Sequence, residues 1–182
     1  MSIGDTETTT ADQPRRRGIE LFRGAQAPSL FESGIMSTPL LDAEDQKVIA
    51  AEGSRNPDVV LGTHDAVPFR GEGENGFSLV RAWFGAHFVL PRHTHNADCL
   101  YYIIEGSLTM GSVALGVVDG FFVPSGAPYG YEAGPDGVVV LEFRAGTSFD
   151  MTVLGGQVDR LRRMAGSAEA NVEVWKATRP GQ

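Results

Sequence analysis

The stretch His93–Leu108, HTHNADCLYYIIEGSL, decides the fold. Its middle, Cys99–Ile104, is a run of apolar and aromatic residues stopped by Glu105-Gly106, which reads as a strand. Successive side chains on a strand point to opposite faces, so Cys99, Tyr101 and Ile103 share one face, expected to be the interior one. His93 and His95 also stand two residues apart, so on a strand both imidazoles point the same way. Each could then give one nitrogen to a single metal ion. H-x-H alone is a weak signal, because the same spacing also arises by chance on a surface.

The neighbouring segments carry the same period. Upstream, Val80, Ala82, Phe84, Ala86, Phe88 and Leu90 alternate with Arg81, Trp83, Gly85 and His87, the pattern of a strand with one face on a core. Downstream come Ser107–Met110, Val113–Val118, Phe121–Val123 and Gly137–Phe143, separated by Gly111-Ser112, Asp119-Gly120, Pro124-Ser125-Gly126 and Gly134–Gly137. Short strands at even spacing with Gly/Pro turns predict an all-β fold, a small antiparallel β-barrel or sandwich.

Outside this region the pattern changes. Residues 1–17 are polar and end in Pro-Arg-Arg-Arg, a composition that predicts a disordered tail. Residues 18–68 are broken by Pro28, Pro39, Pro57 and Pro68 and read as an arm, with a short helix over Asp42–Glu52 stopped by Gly53 and a short strand over Asp58–Gly62. The barrel is expected over 69–146 and a helical segment over 147–182. In that segment Val158, Leu161, Met164 and Ala165 share one helical face. Ser167 stands as the cap of a second helix carrying Val172 and Trp175.

The 182 residues suffice for one domain with tails and for a core that needs no staples. Lys+Arg 15 against Asp+Glu 23 leaves a net charge of −8, which argues against phosphate-driven nucleic-acid binding and against docking on an anionic membrane. A single cysteine excludes an internal disulfide and any multi-cysteine zinc site. No apolar run approaches a membrane span and the first residues hold no signal-peptide core, so a cytoplasmic location is expected. Gly71–Gly76 matches G-x-G-x-x-G, but a strand follows it where a phosphate-binding fingerprint needs a helix, and its two glutamates would repel phosphate. It is read as a surface turn.

The central stretch resembles the cupin superfamily, in particular small single-domain bacterial cupins. The first cupin motif is G-x5-H-x-H-x3,4-E-x6-G. His93-Thr94-His95, Cys99 and Gly106 reproduce its spacing from the first histidine on, and Tyr101–Leu108 is similar to the strand that follows in the family. Pro124-Ser125-Gly126 followed by Tyr129 resembles the second motif, P-x-G-x2-H, after an Asp119–Pro124 lead-in. The resemblance covers roughly residues 77–143 and implies a double-stranded β-helix of the jelly-roll type.

Two positions depart from the family pattern. The glutamate of motif one is Cys99 and the histidine of motif two is Tyr129. Gly85 also stands seven residues before His93 rather than five. The resemblance therefore implies a metal site of His93 and His95 completed by Cys99, Tyr129 or both. A thiolate there would favour Fe(II), with Zn, Ni, Mn or Cu as other divalent transition metals. Two other accounts stay open: a pocket that has lost its metal and only binds or senses a small molecule, and a Cys99 nucleophile with a histidine base.

Tyr129 and His87 are candidate catalytic groups, His87 with a packed strand histidine as its plainer reading. Trp83, Tyr101 and Ile103 are candidate pocket walls, with core filling as the alternative. His64, in an expected loop, is given no role. The leading function is a metal-dependent oxidoreductase, a dioxygenase acting on a small organic substrate inside the barrel; a cupin isomerase or lyase and a metal-free binder are the alternatives. Resemblance to small cupins and the Pro-interrupted arm also imply a homodimer.

Overall fold

The computed structural model describes residues 18–73 and 76–181, so the reading of 1–17 as a tail lies outside the described residues. Eight strands build the core: β1 (Thr63–Arg70), β2 (Ser78–Phe84), β3 (His93–Thr94), β4 (Cys99–Met110), β5 (Val113–Gly116), β6 (Gly120–Val123), β7 (Glu132–Arg144) and β8 (Thr152–Val153). The large antiparallel sheet runs β1-β2-β7-β4-β5, with β6 also beside β4, and β3 and β8 form a second, two-stranded sheet. This is the all-β jelly-roll arrangement expected from the sequence, but the sheet does not close into a full barrel.

Alternation places the core. On β4, Cys99, Tyr101 and Ile103 are buried while Leu100 and Tyr102 are exposed. Ala82 of β2 and Val138 and Val140 of β7 join them in one buried cluster, while Val80 of β2 packs in a second with Ile35, Val67 and Phe149. The long pairing of β4 with β7 slips at Gly106. Gly106 has φ +70, and a Cβ there would stand 2.1 Å from the Gly137 carbonyl oxygen, so only glycine permits this approach.

Several local expectations differ. The strand expected to run to Leu90 ends at Phe84, because the chain turns at Gly85-Ala86-His87 and His87 takes φ 58. Three contacts hold this turn. Phe88 N–H donates to the Gly85 carbonyl (3.0 Å), Trp175 Nε1–H to the Ala86 carbonyl (2.9 Å) and Ser167 Oγ–H to the His87 carbonyl (2.6 Å). The period-two pattern survives because Phe88 and Leu90 rejoin the sheet beside Ala133 and Tyr131.

The segment expected as a strand at 58–62 is a 3-10 turn, Pro57–Gly62, with proline at its start. Two helices precede it: α1 (Leu30–Ser33) and α2 (Ala43–Arg55). α2 is capped by Asp42, whose Oδ1 accepts from the N–H groups of Glu44 (3.0 Å) and Asp45 (2.7 Å). It passes through Gly53 and ends just before Pro57, which excludes the preceding residue from helix.

The C-terminal segment holds one helix, α3 (Val158–Thr178), not two. Ser167 lies inside it, spending its hydroxyl on the β2 turn rather than on a cap. Leu161, Ala165, Ala168 and Trp175 of α3 are buried, and the helix packs on the 57–62 turn and α2. The expected limit between arm and barrel at 68/69 falls inside β1, and β8 lies within the segment expected to be helical. Gly71–Gly76 joins two antiparallel strands, with Glu74 and Asn75 outside the described residues; no helix follows it. Among the described residues no helix is long and apolar enough to cross a membrane.

Candidate functional site

A cavity of about 220 Å³ opens between the large sheet and β3. At the ~30 Å³ a water occupies in the liquid, it has room for roughly seven waters, hence for a small organic molecule. Its polar wall is made by His93, His95, Tyr129, Glu142 and Arg144, and its apolar wall includes Trp83, Phe84 and Phe149.

The two histidines are held alike. His93 Nδ1 faces the Pro91 carbonyl at 2.8 Å and His95 Nδ1 faces the Asp150 carbonyl. A carbonyl only accepts, so each Nδ1 carries the proton and each Nε2 keeps its lone pair. Asp150 is itself fixed by a reciprocal clamp: Asn96 N–H donates to Asp150 Oδ1 (2.8 Å), and Asp150 N–H to Asn96 Oδ1 (2.9 Å). The rings stand 4.8 Å apart at 75°. Burial, reinforced by the Arg144 charge, pushes His93 down to about 4 and His95 down to about 3, so both are neutral at physiological pH.

Tyr129 lies beside them, its ring 4.4 Å from that of His93. Its place is set by the backbone: His93 N–H donates to the Tyr129 carbonyl (2.9 Å) and Tyr129 N–H to the His93 carbonyl (3.1 Å). The phenol oxygens of Tyr129 and Tyr101 are 2.5 Å apart. Arg144 Nη2 donates to Tyr101 Oη (3.3 Å) and to Glu142 Oε2 (2.5 Å), and its guanidinium stacks on Phe149, 3.9 Å from the ring centre. Tyr101 is fully buried and accepts from Arg144, and either phenol can donate across the Tyr101–Tyr129 contact. Burial and the nearby Glu142 charge hold both phenols well above the usual range. Burial also raises Glu142, against the pull of Arg144.

Of the other expected site residues, Trp83 lines the cavity and the rest fall elsewhere. Cys99 faces the interior opposite Val123 and Arg144 but is not on the cavity wall. Burial, with the Glu142 charge, pushes its thiol up to about 12, so without a metal the thiol is protonated at neutral pH. Ile103 is core filling. Tyr101 reaches the cavity only through Tyr129. His87 is exposed on the turn after β2, away from the cavity, because its left-handed backbone turns it out of the sheet. Trp83 does line the cavity. Among the described residues no group of three His, Cys, Asp or Glu side chains is placed to hold a metal ion.

Sequence reasoning missed Arg144 and gave His64 no role. Arg144 follows Glu142 on β7 at period two, so a charged pair at the end of an apolar strand was the available signal. Its Nε and Nη1 are buried without a partner among the described residues. His64 sits in β1, not in a loop, and lines the cavity, with burial lowering its pKa. The 63–70 segment carried no clear strand period, so nothing pointed to it.

The segments that resemble the two cupin motifs meet in space as that resemblance requires. β3 carries His93, the turn Pro124-Ser125-Gly126 closes on the His95 carbonyl through Gly126 N–H (2.8 Å), and Tyr129 pairs with His93. The mostly antiparallel sheet with its C-terminal helix is consistent with the jelly roll that the resemblance implies. Among solved structures, the chain is similar to KdgF from Halomonas sp. (21% identity, 46% of this chain and 79% of that one, TM-score 0.39). It is also similar to an RmlC-like cupin from Shewanella frigidimarina (22%, 47% and 77%, TM-score 0.40). The polyketide cyclase RemF from Streptomyces resistomycificus aligns at 20% identity over 56% of this chain and 77% of its own, with TM-score 0.45. No family model and no curated protein matches the chain.

Proposed function

We propose that this cupin cavity holds a divalent transition metal on His93 and His95 and acts on a small organic molecule, with oxygen-dependent oxidation as the reaction class. The observation that supports it is the matched pair of imidazoles, each with Nδ1–H tied to a main-chain carbonyl and a free Nε2 lone pair on one cavity. A second hydrogen bond of this kind fixes tautomer and direction in metal-ligating histidines. The donor set fits two coordination positions of an imidazole-loving ion such as Fe(II), Zn, Ni or Cu. Without Cys99 in the set, the argument from thiolate softness no longer favours Fe(II) over the others.

When bound, such an ion supplies Lewis-acid polarisation and, if redox-active, electrons for O2. The remaining roles belong to the chain. Tyr129 presents a hydroxyl proton to a substrate oxygen. The Arg144–Glu142 pair fixes Tyr101 and, through it, Tyr129. Trp83, Phe84 and Phe149 keep water from one side of the ligand. A second reading, a metal-free pocket that binds a small molecule through the same groups, is favoured by one observation: among the described residues no third His, Cys, Asp or Glu joins the pair.

Titration of metal-free protein with Co(II), followed by calorimetry and visible absorption, tests the proposal. One site per chain is expected, lost in His93→Ala/His95→Ala and kept in Cys99→Ser. No binding by the wild type would leave the metal-free reading.

A further inference from the structure

Arg144 ends β7 and is pinned there by main-chain pairing on both sides, with Ser78 of β2 and Cys99 of β4. Its side chain is 1% exposed and lines the cavity, with the guanidinium 3.9 Å above the centre of the Phe149 ring. A guanidinium carries five N–H groups and no acceptor. The two on Nη2 go to Tyr101 Oη (3.3 Å) and Glu142 Oε2 (2.5 Å). Those on Nε and Nη1 are buried and have no acceptor among the described residues. Buried donors are otherwise answered in folded proteins, and a charged one left open is the costliest kind. Donors held open on a rigid cavity wall suit an acceptor that the ligand brings, because their ordering is complete before the ligand arrives.

We infer that the ligand of this cavity is a small monocarboxylic acid, its carboxylate on the open N–H groups of Arg144 and its apolar part against Trp83, Phe84 and Leu90. The inference rests on the cavity being the ligand site, as proposed above, and not on the metal. An ionised carboxylate has about four lone-pair sites for these donors, whereas an amide or ketone oxygen has about two. Its bonds to a guanidinium are also charge-assisted, and the planar guanidinium matches its shape. The single charge follows from the rest of the wall. Arg144 is the one Arg or Lys among the described residues lining the cavity, and Glu142 and Asp65 line it too. Glu142 is held on Nη2, and Asp65 Oδ1 accepts from the Leu30 N–H (2.6 Å). A phosphate ester or a dicarboxylate would bring a second negative charge with no second cation to meet it. Trp83, Phe84 and Leu90 offer nothing to further charged groups, so the remainder of the ligand is apolar.

The test uses metal-free full-length protein, so that a carboxylate cannot sit on an ion instead. Calorimetric titration compares hexanoate and benzoate with hexanamide and benzamide, and benzoate with phenylphosphate. At least one acid is expected to bind about tenfold or more tightly than its own amide. Phenylphosphate is expected to bind more weakly than benzoate. The double variant Arg144→Met/Glu142→Gln removes both charges, so that neither is left buried alone, and is expected to lose the preference for acid over amide. Should that variant not fold, the comparison of acid with amide on the wild type decides by itself. Acids and amides that bind alike, no binding of either acid at millimolar concentration, phenylphosphate binding more tightly than benzoate, or a folded double variant that keeps the preference would each overturn the inference. Acid selectivity in a protein that takes up no Co(II) would remove the metal reading alone. Co(II) uptake without acid selectivity would remove this inference alone.

Discussion

The hydroxyl oxygens of Tyr101 and Tyr129 stand 2.5 Å apart inside the protein, and Arg144 Nη2 donates to the first of them. This hydrogen bond links the charged pair on β7 to the aromatic group beside the histidines. Tyr101→Phe removes the hydrogen-bond partner of Tyr129 and strips Arg144 Nη2 of one of its two acceptors. A loss of about 1–3 kcal/mol is expected, the cost of leaving buried polar groups unpaired. Urea unfolding measures it; an unchanged midpoint would contradict the bond.

The histidine pair makes the metal-free protein acid-sensitive. In the folded chain His93 titrates near about 4 and His95 near about 3, against 6.5 for an ordinary histidine. Above 6.5 neither state takes up a proton there and the contribution is constant. Below 6.5 the unfolded chain binds protons and the folded chain does not, so stability falls as pH drops from 6.5 toward 4 and, through His95, toward 3. Urea midpoints of the apoprotein measured across that window should fall, and His93→Gln/His95→Gln should flatten the slope. Equal slopes would place the acid sensitivity elsewhere.

Cys99 is the only cysteine, and burial holds its thiol near about 12. Folded protein at neutral pH is expected to react with an aromatic disulfide reagent far more slowly than unfolded protein, which should release one equivalent per chain. Fast reaction of the folded form would return Cys99 to the list of reactive groups.

Trp175 closes the turn after β2. It is fully buried, donates to the Ala86 carbonyl and packs on Phe88, and a Cβ on Gly85 would stand 2.3 Å from its ring. Trp175→Ala is expected to cost about 3–5 kcal/mol, the usual range for deleting a buried aromatic. Calorimetric or urea unfolding checks this; a loss under about 1 kcal/mol would mean that α3 is not part of the core.

The strands and the H-x-H element were legible because they are local patterns: alternation on β4, and two histidines at the spacing that shares a face. Ser167 and His87 were misread because their places depend on α3 docking on the β2 turn, a long-range contact that no local period encodes. His64 and Arg144 join the cavity through the pairing of β1 with β2 and of β2 with β7, and register between distant strands is not written in either segment alone. Cys99 shares the interior parity of Tyr101, yet parity fixes the face of a sheet and not the depth at which a side chain ends. The 3-10 turn at 57–62 won over a strand because Pro57 presets its first residue.

Metal content of freshly purified protein, joined to anomalous diffraction from its crystals, tests the central claim most directly. The account predicts close to one transition-metal ion per chain, with its anomalous peak in the cavity within bonding distance of Nε2 of both His93 and His95, and loss of both signals in His93→Ala/His95→Ala. Metal-free protein after gentle purification, or an ion held away from these two nitrogens, would contradict it.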